Sequence, residues 1–266
     1  MSEQNTEKMD EWAEFAKSLA KESGKLICES FGRQITVHRK ADSTPVTEAD
    51  RGAEALMRKM IEKQYPDHQV FGEEEGGSGP EDSPLQWILD PIDGTQSFIR
   101  GVPLFGTLIA LMKEGEPILG VIHLPCTGEL LLGAKGRPTT LNGEAVQVSK
   151  TTDLSKATIL TSCTANMVRE GHGEAFMKLQ EKVDLVRSWG DCYGHFMVAT
   201  GRADVMLDPI LAPWDIAALR PCIEGAGGRM TDWSGVVQPL GESAITTNGL
   251  LHEEILACFA KDNAEK

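Results

Sequence analysis

Leu85-Gln86-Trp87-Ile88-Leu89-Asp90-Pro91-Ile92-Asp93-Gly94-Thr95 is the stretch that decides what this chain can be. A mostly apolar, strand-like run delivers two carboxylates three positions apart. Left to themselves, buried acids repel one another and lose hydration. A hard divalent cation removes that conflict. Pro91 fixes the backbone between the acids, so their oxygens can converge and the Ile92 carbonyl can turn toward the same ion. Gly94 and Thr95 then present backbone N–H groups at what reads as a helix start, where a phosphate is well received. A metal site and a phosphate site in one turn point to metal-assisted phosphoryl transfer. Taken alone, the same string also describes an Asp-rich surface turn with Asp93-Gly94 at its corner.

Three further segments bear on that choice. Phe71-Gly72-Glu73-Glu74-Glu75 follows a short apolar stretch. Glu73, next to the strand end and the flexible Gly72, is the acid placed to reach inward, while Glu74 and Glu75 read as a solvated loop. Pro213-Trp214-Asp215 opens a helix, where an acid in the first turn also complements the helix dipole. Thr47-Glu48-Ala49-Asp50 has the form of a capping box ahead of Leu56, Met57, Met60 and Ile61. Each segment has an ordinary structural explanation by itself.

Together the four resemble the motifs of the inositol monophosphatase-like, lithium-sensitive, magnesium-dependent phosphatases, in family order and from about Trp12 to the C-terminal helix. The resemblance implies an α+β layered sandwich of alternating helix and sheet layers, shared with the fructose bisphosphatases, and a homodimer. It implies two or three Mg²⁺ per active site. Glu73, Asp90 and the Ile92 carbonyl would hold the first ion, and Asp90, Asp93 and Asp215 the second. Thr95 and Asp50 resemble the pair that orients and deprotonates the attacking water. A threonine hydroxyl is too weak a base alone, so Asp50 must relay the charge. The Gly94 and Thr95 amides would grip the phosphate, and Asp93 would also contact the substrate. No Asp-nucleophile or Cys-x5-Arg motif calls for a covalent phosphoenzyme.

Substrate choice rests on fewer residues. Arg187-Ser188-Trp189-Gly190-Asp191-Cys192-Tyr193-Gly194 departs from inositol phosphatases, which usually carry small residues after that Gly, and looks like the histidinol-phosphate phosphatase branch. Ser97, where inositol enzymes usually have Asn, suits the same branch. Histidinol phosphate carries an ammonium and an imidazole, whereas inositol is neutral. Asp191, with Asp208 where family members often have Glu, is a candidate to pair with the cationic end. Asp191 is equally placed to cap the following helix. Arg187 is a candidate for the phosphate or for a neighbouring subunit. The expected reaction is hydrolysis of L-histidinol phosphate to L-histidinol, a step of histidine biosynthesis. An inositol-1-phosphate or broader sugar-phosphate phosphatase is the alternative. A catalytically silent scaffold is disfavoured, because Asp50, Glu73, Asp90, Asp93, Thr95 and Asp215 are all retained.

Composition sets outer bounds. The 266 residues suffice for one substantial core, expected as a single phosphatase unit with an antiparallel-sheet half over 1–150 and an α/β half over 151–266. A net charge of −14, from 40 acids against 26 Lys and Arg, argues against nucleic acid or an anionic membrane as partner. It also opposes a phosphate substrate unless bound cations reverse the local sign. No apolar run is long enough to span a bilayer, and the N-terminal residues lack a signal-peptide pattern. Cys28, Cys126, Cys163, Cys192, Cys222 and Cys258 form no C-x-x-C pair, so reduced thiols in the cytoplasm are expected. The six histidines form no zinc-ligand pattern. Periodicity predicts helices around Trp12–Ala20 and Leu56–Ile61, then hairpin strands over Phe105–Met112, Ile118–His123 and Glu129–Gly133. Further on it predicts helices over Glu170–Lys182, Tyr193–Ala199 and Trp214–Gly225 and from His252. Strands are expected near Thr158–Leu160, Ala203–Leu207, Arg229–Asp232 and Ala244–Thr246, and a loop over Gly76–Pro84.

Overall fold

The computed structural model describes residues 3–33, 36–39 and 45–263, so Met1 and Ser2 of the N-terminal stretch lie outside it. After α1 (Glu3–Ser30) come the short strands β1 (Val37–Arg39) and β2 (Pro45–Thr47), then α2 (Glu48–Gln64). A strand-rich segment follows: β3 (Gln69–Gly72), β4 (Gly76–Ser78), β5 (Leu85–Asp93), α3 (Thr95–Phe98), β6 (Gly106–Lys113), β7 (Glu116–Leu124), β8 (Glu129–Ala134), β9 (Thr140–Leu141) and β10 (Glu144–Ala145). Elements then alternate as β11 (Thr158–Thr161), α4 (Thr164–Arg169), α5 (Gly173–Gln180), β12 (Leu185–Arg187), α6 (Asp191–Ala199) and β13 (Val205–Asp208). The chain finishes with α7 (Pro213–Ala217), α8 (Leu219–Gly225), β14 (Arg229–Thr231), β15 (Ala244–Thr247) and α9 (His252–Asn263).

Side-chain alternation along the strands builds the layers. Trp87 and Leu89 of β5 point one way, with Ile109, Leu111, Leu119 and Val121, and meet Trp12, Ala16, Leu19, Met57 and Ile61 from α1 and α2. Ile88 points the other way, with Leu108, Ala110 and Ile122, into a middle layer that includes Phe196, Leu219, Cys222 and Ile223. That same cluster continues to Leu160, Met206 and Met230, on the near face of a second sheet. The far face of the second sheet, with Ile159, Val205, Leu207 and Ile245, is closed by Phe176, Leu179, Ile255 and Phe259 of α5 and α9. Helix and sheet layers therefore alternate, as the sequence led one to expect.

The first sheet has eight strands in the order β10-β9-β8-β7-β6-β5-β3-β4, and β3–β5 is its one parallel pair. The second has five, β12-β11-β13-β15-β14, with β11 parallel to both its neighbours and the remaining pairs antiparallel. Two glycines let α8 lie directly on the first sheet. A Cβ at Gly120 would sit 2.1 Å from the Ala218 carbonyl oxygen, and one at Gly133 would sit 2.3 Å from that of Pro221. All six cysteines are free, and among the described residues no helix is long and apolar enough to cross a membrane.

Several boundaries differ from expectation for physical reasons. The helix expected over Trp214–Gly225 is divided at Ala218, because Pro221 cannot donate to the carbonyl of Ala217 and its ring crowds it. The helix expected over Glu170–Lys182 is shorter, and a separate α4 precedes it across Gly171, which has φ +81°. Within the expected Gly76–Pro84 loop, Gly76 to Ser78 form β4 on the edge of the sheet. The β1–β2 hairpin, which leads into Thr47, carries no strong alternation and was not expected.

Because Gly133 meets rigid backbone, Gly133→Ala should lower stability by about 1–3 kcal/mol or more in urea denaturation. Gly52→Ala on α2, whose new Cβ would meet only Leu26 side-chain atoms at 3.5 Å or more, should be neutral or stabilising by up to about 1 kcal/mol. The continuous middle core should give wild type a single unfolding transition, and two separated transitions would divide the chain into independent halves.

Candidate metal centre and active site

Asp90 shares the β5 face of Ile88, so alternation turns it toward the middle layer. A regular strand would send Asp93, three residues on, to the opposite face. The pairing of β5 with β6 shifts register between Asp90 and Asp93, and this irregularity re-aims the second acid. The bend is held locally. Ile92 N–H donates to Asp90 Oδ1 at 3.0 Å, and Thr107 Oγ1 donates to the Pro91 carbonyl at 2.9 Å. Ile92 itself packs with Ile27, Ala49, Ala53, Phe98 and Phe105, which anchors the turn from behind.

α7 supplies the third acid. Asp215 accepts the Ala212 amide at 2.7 Å, so one oxygen secures the helix start while the group turns toward the strand. Carboxylate oxygens of Asp90, Asp93 and Asp215 lie within 4.8 Å of one another. Glu73 follows β3, its amide bonded to the Leu89 carbonyl at 3.1 Å and its carboxyl in hydrogen-bonding reach of Asp90. Asp93 also accepts the Cys192 amide from the first turn of α6. Burial, then the charges of Glu73, Asp93 and Asp215, hold Asp90 well above the usual carboxylate range. Burial, then Asp191 and Asp215, does the same to Asp93. Asp215 is pushed up to about 6, chiefly by burial. These acids compete for protons because nothing cationic stands among them in the described residues. An all-oxygen set of this kind fits a hard ion such as Mg²⁺ rather than zinc.

Asp50 occupies the third helical position of α2 and completes the capping box read from the sequence. Its Oδ2 accepts both the Thr47 amide at 2.8 Å and the Thr47 hydroxyl at 2.6 Å. Its Oδ1 is buried with no partner among the described residues, and burial raises the group's pKa. Thr95 Oγ1 donates to the Ile92 carbonyl at 3.0 Å, so the hydroxyl is bonded to that carbonyl and not to Asp50. Gly94 caps the four-residue α3 with φ +88°. A Cβ there would come within 3.1 Å of Asp191 Oδ2 and of the Leu104 carbonyl.

Asp191 is the first residue of α6, after Gly190 at the cap, where there is no side chain to make a capping bond. Its φ of +54° is left-handed, a strained choice for a residue with a side chain. Burial pushes its carboxyl up to about 6. Ser162, which the sequence reading passed over, holds it in place. Ser162 Oγ accepts the Asp191 amide at 2.8 Å and donates to Asp208 at 2.5 Å. Asp208 is buried, 2% exposed, and is linked to the Asp191 amide through the Ser162 hydroxyl. Arg187 ends the edge strand β12, exposed, with its guanidinium on the Val186 carbonyl and no bond to the acid cluster. Ser162 and the Cys192 amide had no sequence signal beyond lying near a strand end and a helix start.

A family model described as the inositol monophosphatase family matches residues 8–264. The chain belongs to the inositol monophosphatase family. It is 41% identical over 255 residues to a histidinol-phosphatase of Chlorobaculum parvum, covering 95% of this chain and 98% of the relative. It is 38% identical to a histidinol-phosphatase of Mycobacterium tuberculosis, covering 91% and 95%. The solved Thermotoga maritima IMPase superposes with a TM-score of 0.86 at 30% identity, over 95% of this chain and 98% of that one. Magnesium dependence, general in the inositol monophosphatase family, agrees with the acid cluster.

The raised acids fix the sign of a pH effect. Between about pH 4 and 6 Asp215 keeps a proton in the folded state that the unfolded chain has released, and cation binding must displace it. The thermal stabilisation produced by Mg²⁺ should therefore grow as the pH rises from about 5 through 6. His123, His195 and His252, lowered by burial to about 4, 3 and 4, are neutral in the fold across that range and cancel in the comparison with and without metal. Melting curves measured in pairs, with Mg²⁺ and with chelator, test this. A gain that does not change with pH would refute the acid cluster as the binding site.

Proposed function

We propose that this protein is a magnesium-dependent phosphomonoesterase that hydrolyses L-histidinol phosphate to L-histidinol and phosphate. The observation that carries the substrate is Asp191. It is a mostly buried carboxyl in a left-handed conformation, beside Gly94, with no Lys, Arg or His paired to it among the described residues. Such an arrangement is costly for an empty site and favourable once an external cation arrives. Histidinol phosphate brings an ammonium and an imidazole; a neutral polyol brings neither. The relatives that carry the histidinol-phosphatase name support the same substrate.

In this reading Glu73, Asp90 and the Ile92 carbonyl would hold one Mg²⁺ and Asp90, Asp93 and Asp215 another, with two or three ions per site. When bound, such ions offset the charge of the phosphate dianion, ease deprotonation of water and support the leaving alkoxide. Gly94 and Thr95 bind the phosphate through their amides, and Asp93 contacts the substrate beside them. Thr95 Oγ1 has its proton on the Ile92 carbonyl and keeps lone pairs to orient the attacking water. Asp50, with one oxygen fixed by its helix cap and the other unspent, supplies the charge that accepts the proton. Asp208 acts at one remove, through Ser162 on the Asp191 amide. Arg187 is left for a neighbouring subunit of a homodimer. A cytoplasmic location belongs to the same proposal and rests on thiols without a pairing pattern.

Phosphate release from histidinol phosphate, inositol 1-phosphate, fructose 1,6-bisphosphate and adenosine 3′,5′-bisphosphate tests the substrate directly. Histidinol phosphate should be preferred, and equal hydrolysis of inositol 1-phosphate would favour the broader phosphatase. Asp191→Asn should cost histidinol phosphate on the order of 2–5 kcal/mol in kcat/KM, and inositol 1-phosphate much less. A comparable loss on both would reduce Asp191 to a fold residue.

Asp50→Asn and Thr95→Ala should each lower kcat far more than they raise KM. Their combined loss should fall short of the sum, because they serve one proton. Full additivity would separate the two residues.

A further inference from the structure

One carboxylate behind the acid cluster has no role so far. Glu54, one turn after Asp50 on α2, is fully buried. Its oxygens are occupied by loop backbone: Oε2 accepts the Glu74 amide at 2.8 Å and Oε1 accepts the Glu75 amide at 3.0 Å. Arg58, a further turn along, donates from Nε to Oε1 at 2.8 Å. The rest of its guanidinium reaches the Ser78 hydroxyl at 2.8 Å and the Gly76 carbonyl at 2.5 Å. Gly72 passes so close that a Cβ would lie 2.4 Å from Glu54 Cδ. Glu73 is thus flanked on both sides. The residue before it presses on the Glu54 carboxylate, the two amides after it are bonded to that carboxylate, and its own amide is tied to Leu89.

A carboxylate buried to this degree loses its hydration, and here one arginine and two amides stand in for the water. Turns of acidic residues are ordinarily left to water. Here the loop is instead bound to α2, the helix that also carries Asp50, by charge-assisted bonds that leave little freedom around one side chain. Taking Glu73 to be a metal ligand, we propose that Glu54, braced by Arg58, is a positioning residue that fixes Glu73 for the cation. Outer partners of this kind set the orientation of a ligand and through it the affinity of the site. The repulsion between Glu73 and Asp90 gives the brace its purpose, because an unbraced Glu73 would swing away from the neighbouring acid.

The test uses the full chain freed of metal by chelator, with Mn²⁺ as probe and the signal of free Mn²⁺ in electron paramagnetic resonance as readout. Glu54→Gln keeps the shape of the side chain but sets an NH₂ against donors already present. It should weaken Mn²⁺ binding about 10–100-fold. The Mg²⁺ requirement of the phosphatase activity should rise in step, while kcat at saturating Mg²⁺ changes far less. Arg58→Lys keeps a positive charge and loses the fork to Gly76 and Ser78, so it should weaken binding by a smaller factor. Glu73→Gln serves as the reference. If it binds Mn²⁺ like wild type, Glu73 is no ligand and the proposal falls with it. If Glu73→Gln is weak while folded Glu54→Gln and Arg58→Lys bind like wild type, Glu73 stands as a ligand and the brace is refuted. Should Glu54→Gln fail to fold, Arg58→Lys decides, and wild-type affinity in that variant overturns the proposal.

Discussion

Repulsion among convergent carboxylates is the constraint around which this molecule is arranged. Asp90, Asp93 and Asp215 bring oxygens within 4.8 Å of one another, with Glu73 and Asp191 close enough to raise the proton affinity of the group. Held apart from cations, such a cluster pushes its own members outward. The surrounding structure resists with bonds that the acids cannot break by rotating. Backbone amides of Ile92, Cys192 and Ala212 each fix one carboxylate oxygen, and the strand irregularity at Pro91 is clamped by Thr107. The site is rigid because it is unfavourable, and a metal ion exploits a geometry that folding has already imposed.

The layered core provides that resistance. β5 lies inside the eight-stranded sheet, between β6 and β3, so its shape cannot relax toward solvent. α6 and α7, which bring the Cys192 amide and Asp215, belong to the helical layer shared by both sheets. The acids therefore come from β5 and from α7, elements far apart in sequence that meet at the middle layer. Loops alone could not keep like charges at this distance.

Most of this architecture was legible in the sequence, and the exceptions have causes. Long strands such as β6 and β7 announce themselves by apolar content, and the Thr47–Asp50 box declares the start of α2. β4 was missed because Gly76 and Gly77 have no side chains to alternate, and only the neighbouring strand makes them a strand. The division between α7 and α8 follows from Pro221, whose effect falls four residues upstream, where the helical pattern is otherwise sound. At the site, the acids were visible because their chemistry is conspicuous. Ser162 was not, since a serine after a strand is ordinary until the two partners of its hydroxyl are known. Glu54 and Arg58 have the spacing of a solvated helical ion pair, and nothing local reveals that the carboxylate is buried against a loop twenty residues away.

Asp50 and Asp215 divide their oxygens alike in one respect, each spending one of them on an amide at a helix start. That division alters what their presence says about ancestry. A descendant that had lost all catalysis would still be selected to keep both, because replacing either would loosen a helix. Asp90 is different: three neighbouring acids and complete burial oppose it, and a chain released from function would gain stability by discarding it. Among relatives of this protein, the acid that disappears first when activity is abandoned should be the one the fold least wants. Retention of Asp90 is thus better testimony to a working enzyme than retention of the two helix-capping aspartates.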